Sequence, residues 1–192
     1  MMFMIRIVIA YLLGNISPSI IQGKLKGIDI RKEGSGNAGT TNTLRVLGKK
    51  AALITLVIDV CKGVLAVRLG SHSGPLCAML CAVAVFAGHI WPAVWGFRGG
   101  KGVATAFGAV LAVNWKLALL SLTAVVLVTV CTKMMSAGSV CGAAALPVLS
   151  VFLERDFLPE ALFIGAVILI KHRANIERIL RGEESKLNFT KR

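Results

Sequence analysis

Six apolar runs, at residues 3–22, 51–69, 75–95, 103–132, 138–153 and 157–171, alternate with polar segments, and each is compatible with a helix that crosses a bilayer. The fourth is too long for one ordinary crossing at about 1.5 Å rise per residue, and Asn114, Trp115 and Lys116 interrupt it near its first third. Splitting it there predicts seven spans, with the fourth and sixth short at roughly 11–15 residues, as broken or shielded helices in a locally thinned bilayer would be. The run after Arg6 lacks an Ala-x-Ala cleavage pattern and continues into Asn15, Ser17 and Pro18, so it reads as a retained first span rather than a signal peptide.

Charge gives the spans a direction. Residues 24–50 carry seven basic side chains against Asp29 and Glu33, and the tail from Lys171 onward carries seven more. Basic segments stay cytoplasmic, which puts both on one side together with the loop holding Arg98 and Lys101. An even number of crossings must then separate that loop from the tail. The split at 114–116 supplies four, whereas one long tilted helix leaves three. The expectation is an all-α, multi-pass membrane helical bundle of about seven spans, a single domain over residues 1–192, with the N-terminus outside and the C-terminus cytoplasmic. Residues 68–74, 114–116 and 154–158 then lie outside, where positive charge is sparse or balanced by Glu154 and Asp156.

Composition agrees with a membrane class: 56% of the 192 residues are hydrophobic and 16% charged, with a mean hydropathy of +0.77. The net charge of +13 does not indicate nucleic acid, because a nucleic-acid binder carries its charge over a soluble face rather than between long apolar runs. Cys61, Cys77, Cys81, Cys131 and Cys141 all lie in apolar stretches without a Cys-x-x-Cys pair. Zinc, redox and disulfide roles are therefore not indicated, and Cys77 and Cys81 read as small buried hydrophobes. No metal or cofactor is expected.

The chemistry lies in three polar stretches. Residues 34–45, Gly-Ser-Gly-Asn-Ala-Gly-Thr-Thr-Asn-Thr-Leu-Arg, fall between two apolar runs. Gly34, Gly36 and Gly39 allow backbone N–H groups to turn toward an anion, while Ser35, Asn37, Thr41, Asn42 and Arg45 add donors, which together read as a phosphate cradle. The glycines satisfy G-x-G-x-x-G, yet no strand precedes them and no βαβ unit surrounds them, so a dinucleotide fold fails on context. A flexible connecting loop is the competing account.

In the second stretch, residues 88–105, Trp91 and Trp95 form an aromatic belt ahead of a Gly-Gly-Lys-Gly turn. It misses the P-loop pattern, since Gly96 is one position too close to Gly100-Lys101 and Gly102 follows the lysine. Lys101, flanked by Gly100 and Gly102 at a helix N-terminus, still makes an anion site. The alternative is simple interfacial anchoring by the aromatic and basic residues. The third stretch, residues 171–184, follows the last span. On a helix it sets His172, Asn175 and Ile179 on one side and an Arg173–Glu177 pair elsewhere, with a solvated, topology-enforcing tail as the alternative. Ser136 and Ser139 stand one turn apart after Lys133, either as rim hydroxyls or as small packing residues. Inside the second span, Asp59 and Lys62 have the i,i+3 spacing for mutual neutralisation, which serves either ion transport or packing.

Taken jointly and in this order, the three stretches resemble the bacterial acyl-phosphate-dependent glycerol-3-phosphate acyltransferase family, a seven-span membrane enzyme family, along nearly the whole chain. The resemblance implies transfer of an acyl group from acyl phosphate to the sn-1 hydroxyl of sn-glycerol 3-phosphate, giving 1-acyl-glycerol 3-phosphate (lysophosphatidic acid) and phosphate, which begins phospholipid synthesis. It implies the bilayer and an upstream acyl-phosphate-forming enzyme as partners, and a site at the cytoplasmic face of a bacterial cytoplasmic membrane. Ser35, Asn37, Thr41, Asn42, Arg45, Lys101, His172 and Asn175 match binding or catalytic positions of the family, and Ser139 matches a serine near the phosphate. Thr40 stands where the family commonly has alanine and Arg98 where it has lysine, and neither change removes a proposed ligand.

Acyl phosphate is an activated mixed anhydride, so positioning and charge stabilisation suffice without a dedicated nucleophile. The His-x-x-x-x-Asp dyad of the other large acyltransferase class is missing: none of His72, His89 or His172 has aspartate five residues on, and His172 has Glu177. The expected mechanism has the phosphate of glycerol 3-phosphate accept the hydroxyl proton, with His172 and Asn175 organising the acyl-phosphate head or the developing oxyanion. Two other functional classes fit part of the pattern. A small anion or proton-coupled transporter accounts for Asp59 and Lys62, but not for three donor-rich motifs at one membrane face. A membrane scaffold for acidic partners accounts for the charge but not the glycines.

Overall fold

The structure is a computed structural model that describes residues 1–187. Among these residues the regular structure is helical throughout, with no strand. Three helical segments, Pro75–Trp95, Trp115–Thr132 and Met135–Leu153, are long and apolar enough to cross a membrane, and a bent pair near the N-terminus forms a fourth candidate. The chain divides into two compact units, Met1–Val113 and Asn114–Arg192.

The first unit contains α1 (Met2–Gly14), α2 (Pro18–Leu25), α3 (Thr40–Leu47), α4 (Lys49–Ser71), α5 (Pro75–Ile90) and α6 (Val103–Val113). The expected first span, residues 3–22, is broken between α1 and α2 with a bend of 41°. Ser17 is extended, as a residue before proline prefers, and Pro18 opens α2 where no helical N–H is needed. The break frees backbone carbonyls, and α4 supplies their donor: Lys62 Nζ lies 3.1 Å from the Gly14 carbonyl and 2.6 Å from that of Ile16. Its charge is balanced by Asp59 at 2.8 Å, so the expected i,i+3 pair forms, and both side chains are buried. Such re-satisfaction by a neighbouring helix is what permits a broken helix at membrane depth.

Small residues bring these helices into backbone contact. A methyl group on Gly63 of α4 would lie 2.4 Å from the Thr105 carbonyl, and one on Gly108 of α6 would lie 2.1 Å from that of Val60. Close approach of this kind is how helices associate where water supplies no driving force. The outer face of α4 leaves Leu53, Val57 and Leu65 exposed, as a lipid-facing surface would.

The second unit contains α7 (Trp115–Thr132), α8 (Met135–Leu153), α9 (Leu158–Lys171) and α10 (Arg173–Leu180). Its first residue explains the division of the long apolar run. Asn114 Oδ1 caps α7 by accepting from the N–H groups of Lys116 and Leu117, and its Nδ2 donates to the Leu153 carbonyl and to Glu154 at the end of α8. α6 has the expected short length, 11 residues. α8 does not: at 19 residues it begins three positions earlier than its apolar run, because Met135, Ser136 and Ala137 continue the helix back to a turn in which Lys133 takes φ +60°. Pro147 interrupts α8, and Gly165 of α9 packs closely there, with a methyl on it 2.6 Å from the Ala143 carbonyl that Pro147 leaves without its helical donor.

Candidate active site

Within the first unit, the loop before α3 is built around one amide. Asn42, fully buried, accepts from the Ser35 N–H at 2.8 Å and donates to the carbonyls of Ile30 and Glu33, both at 3.0 Å. This departs from the expected ligand role, because both Nδ2 protons are committed inside the loop and the side chain is sealed from solvent. Asn42 shapes the cradle. Gly34 (φ +60°) must be glycine twice over, since a methyl there would also sit 2.3 Å from Asn42 Oδ1. Ser35 and Arg45 are exposed, while Asn37 and Thr41 are half-buried. Gly39 precedes α3, and its carbonyl accepts from the Thr43 hydroxyl at 3.0 Å.

The loop is pinned to the second stretch. Arg31 clasps Asp29 through two hydrogen bonds, Nε to Oδ1 at 2.9 Å and Nη2 to Oδ2 at 3.1 Å, and its Nη1 donates to the Trp95 carbonyl at 3.0 Å. That guanidinium holds the Asp29 carboxyl below the usual carboxylate range. Trp95 Nε1 donates in turn to the Asn15 carbonyl at 2.9 Å, and the Lys24 ammonium stands 4.7 Å from its ring centre. Residues 98–102 then run without regular structure into α6, with Gly102 at φ +84° and Lys101 half-buried just before the helix. Gly100 is buried against the first loop, where a methyl would lie 2.7 Å from the Ala38 carbonyl. Two of the three expected stretches are thus neighbours.

Within the second unit, Glu184 is the hub, a role that no sequence pattern marks beyond its position at the end of the third stretch. Its Oε1 accepts from Asn175 Nδ2 at 2.7 Å and Ser136 Oγ at 2.8 Å, and its Oε2 accepts from Arg178 Nε at 2.7 Å. Burial pushes the carboxyl up, but these donors outweigh burial and hold it below the usual range. Asn175 is therefore fixed relative to α8. Ser139, one turn along α8 from Ser136, donates to the Met135 carbonyl at 2.9 Å. His172 is buried at the α9–α10 corner with Nδ1 2.8 Å from the Ile168 carbonyl. A carbonyl only accepts, so Nδ1 carries a proton. The expected Arg173–Glu177 pair is replaced by Glu177 with Arg181 at 2.5 Å, an equivalent i,i+4 spacing in the other direction. Among the described residues, His, Cys, Asp and Glu do not cluster in threes of the kind that hold a metal ion.

Fold and loops together define a helical integral membrane protein whose polar stretches are ordered by a buried amide and a buried carboxylate. Comparison with known proteins gives the family. A family model described as Glycerol-3-phosphate acyltransferase matches residues 4–182. The chain is 47% identical to a glycerol-3-phosphate acyltransferase of Clostridioides difficile (strain 630), over 98% of this chain and 97% of that protein. It is 44% identical to one of Thermoanaerobacter sp. (strain X514), over 94% and 93%. Among solved structures, it superimposes on PlsY, an integral membrane glycerol 3-phosphate acyltransferase. The glycerol 3-phosphate form gives a TM-score of 0.92 at 34% identity, over 97% of this chain and 96% of that one. The lysophosphatidic acid form gives 0.88 at 34% identity, over 97% and 95%. The chain belongs to the glycerol-3-phosphate acyltransferase family, membrane enzymes of phospholipid synthesis.

Proposed function

We propose that the protein transfers an acyl group from acyl phosphate to the sn-1 hydroxyl of sn-glycerol 3-phosphate, releasing 1-acyl-sn-glycerol 3-phosphate and inorganic phosphate. The observation that carries this reading is the junction of the donor-rich loop with the Lys101 turn in one unit, in a chain similar over nearly its whole length to glycerol-3-phosphate acyltransferases. Both substrates are phosphate-bearing anions, so the site must offset their repulsion. Arg45, Lys101, Ser35 and the N–H groups around Gly34, Gly36, Gly39, Gly100 and Gly102 supply that positive potential, with Asn37 and Thr41 adding donors and Asn42 holding the loop's shape. Ser139 and Asn175 orient a phosphate or the developing oxyanion. His172, through Nε2, accepts a hydrogen bond or, once protonated, donates one.

In the reacting step the sn-1 oxygen attacks the acyl carbonyl, the acyl–phosphate C–O bond breaks, and the electron pair leaves with inorganic phosphate. The hydroxyl proton passes to the phosphate of glycerol 3-phosphate. The leaving group is already good, so alignment and charge carry the catalysis.

The same reading assigns seven spans with the N-terminus outside and the C-terminus cytoplasmic, in a bacterial cytoplasmic membrane with the site at the cytoplasmic face. The capped break at Asn114 supports it by dividing the long apolar run where parity requires. A match running from residue 4 to residue 182 supports both units working as one acyltransferase domain. The donor is an acyl phosphate made by a separate enzyme. A transporter is not favoured: the Asp59–Lys62 pair is committed to carbonyls of the broken first span.

Purified protein in proteoliposomes, given labelled glycerol 3-phosphate with acyl phosphate, acyl-CoA or acyl carrier protein in parallel, tests the reading. Lysophosphatidate is expected from acyl phosphate. Its formation only from a thioester donor would overturn the assignment.

A further inference from the structure

The first unit contains a buried polar cluster that the reaction does not use directly. Lys62 Nζ stands within 3.1 Å of four polar atoms: Asp59 Oδ1 at 2.8 Å as an ion pair, the Gly14 and Ile16 carbonyls, to which it donates, and His89 Nδ1 at 2.9 Å. His89 Nδ1 also lies 3.4 Å from Asp59 Oδ1, and all three side chains are buried. A single neutral pair would have sufficed to rescue the carbonyls of the broken span. The histidine, in the last turn of α5 and so on a different helix, needs another explanation.

Its other edge supplies one. A methyl on Gly100 would sit 2.2 Å from His89 Nε2, so the ring edge packs directly on the Gly100 backbone. The His89 carbonyl accepts from the Gly100 N–H at 3.2 Å, and the Ile90 carbonyl accepts from the Gly99 N–H at 3.2 Å. A methyl on Gly99 would lie 1.9 Å from the His89 carbonyl. The residue that follows is Lys101. We propose that His89 is a positioning residue: the Asp59–Lys62 pair fixes its ring through Nδ1, and its Nε2 edge and carbonyl fix the Gly99–Gly100 turn that delivers Lys101 to the substrates. The proposal rests on the assignment of the Lys101 turn to phosphate binding. It gives the intramembrane ion pair a catalytic purpose without placing either charge in contact with substrate.

A ring that merely fills space and a ring that sets a turn differ in kinetics. Loss of packing lowers the fraction of active enzyme and so the apparent kcat, whereas a displaced phosphate cradle raises KM as well. The full-length enzyme in proteoliposomes is assayed with acyl phosphate and labelled glycerol 3-phosphate, alongside its thermal melting in detergent. His89→Ala is expected to raise KM for at least one of the two substrates roughly 10-fold or more, with His89→Gln, which restores a polar group, recovering part of the loss. Lys62→Met is expected to shift the same KM, and adding it to His89→Ala should give no further shift, because both act through one ring. An unchanged KM for both substrates in His89→Ala, whatever happens to kcat, would overturn the proposal. If Lys62→Met does not insert, the two His89 variants alone decide. Wild-type enzyme silent with acyl phosphate defeats the donor assignment separately, and the His89 series then runs on the donor it accepts.

Discussion

The loop of residues 34–45 and the segment of residues 171–184 solve the same problem with opposite chemistry. Each must hold polar groups at the end of an apolar helix. The first is organised by a neutral amide, Asn42, whose three hydrogen bonds all go to backbone. The second is organised by a carboxylate, Glu184, whose three bonds all come from side chains on α8 and α10. An amide shapes a loop without adding negative charge to a unit that carries Arg45 and Lys101. A carboxylate instead offsets a basic helix, quieting Arg178 while fixing Asn175. On the proposed reading the first region supplies positive potential and the second places side chains.

The largest expected effect tests that division. Arg45→Ala or Lys101→Ala should lower turnover about 100-fold or more, the order seen when one charge-stabilising donor is removed, with membrane insertion intact by protease protection. Activity unchanged in either would remove that cation from the site. Asn42→Leu comes next. It takes from the Ser35 N–H its acceptor, about 1–3 kcal/mol if that group stays unpaired, and from the Ile30 and Glu33 carbonyls one donor each, leaving them their backbone donors, and it should lower both the melting temperature and turnover.

Glu184→Gln keeps the shape but loses the charge on three hydrogen bonds. It should cost less than Asn42→Leu and should mainly reduce kcat through Asn175. Acidification mimics it. Because Glu184 is held below its ordinary value, its contribution is complete above about 4.3 and is lost as pH falls through the lower folded-state value. Amide-exchange protection at Leu187, whose N–H donates to the Lys133 carbonyl at 2.7 Å, taken relative to the intrinsic rate at each pH, should therefore fall on acidification. Protection at Ser35, bonded to Asn42, should not follow it. The Asp29–Arg31 pair beside that loop also titrates, but it is partly exposed and screened, so it adds little. Smallest of all, Glu177→Ala removes only an exposed pair with Arg181 and should leave melting and turnover unchanged.

What could be read from the sequence follows the range of the interactions. The division at Asn114 was legible because an N-cap residue announces itself locally, as was the Asp59–Lys62 pair, one helical turn apart. The bend at Ser17 was visible in its residues, yet an apolar run on either side masked it. α3 was hidden by composition: Thr-Thr-Asn-Thr has poor helix propensity and forms a helix only because Asn42 and Thr43 are buried and bonded. The Glu177 pairing was undecidable locally, since arginines lie four residues to either side. His89 and Glu184 were missed for a different reason. Lys62 lies 27 residues from His89 and the Ser136 donor lies 48 residues from Glu184, and no spacing rule reaches that far.

At the centre of this account is direct transfer, in which two anions are held in place and no side chain carries the acyl group. Single-turnover quench of the enzyme with radiolabelled acyl phosphate, before and after addition of glycerol 3-phosphate, tests it most directly. The account predicts no protein-bound label without the acceptor and lysophosphatidate on its addition. Stoichiometric acylation of the protein, chased into product by glycerol 3-phosphate, would contradict it.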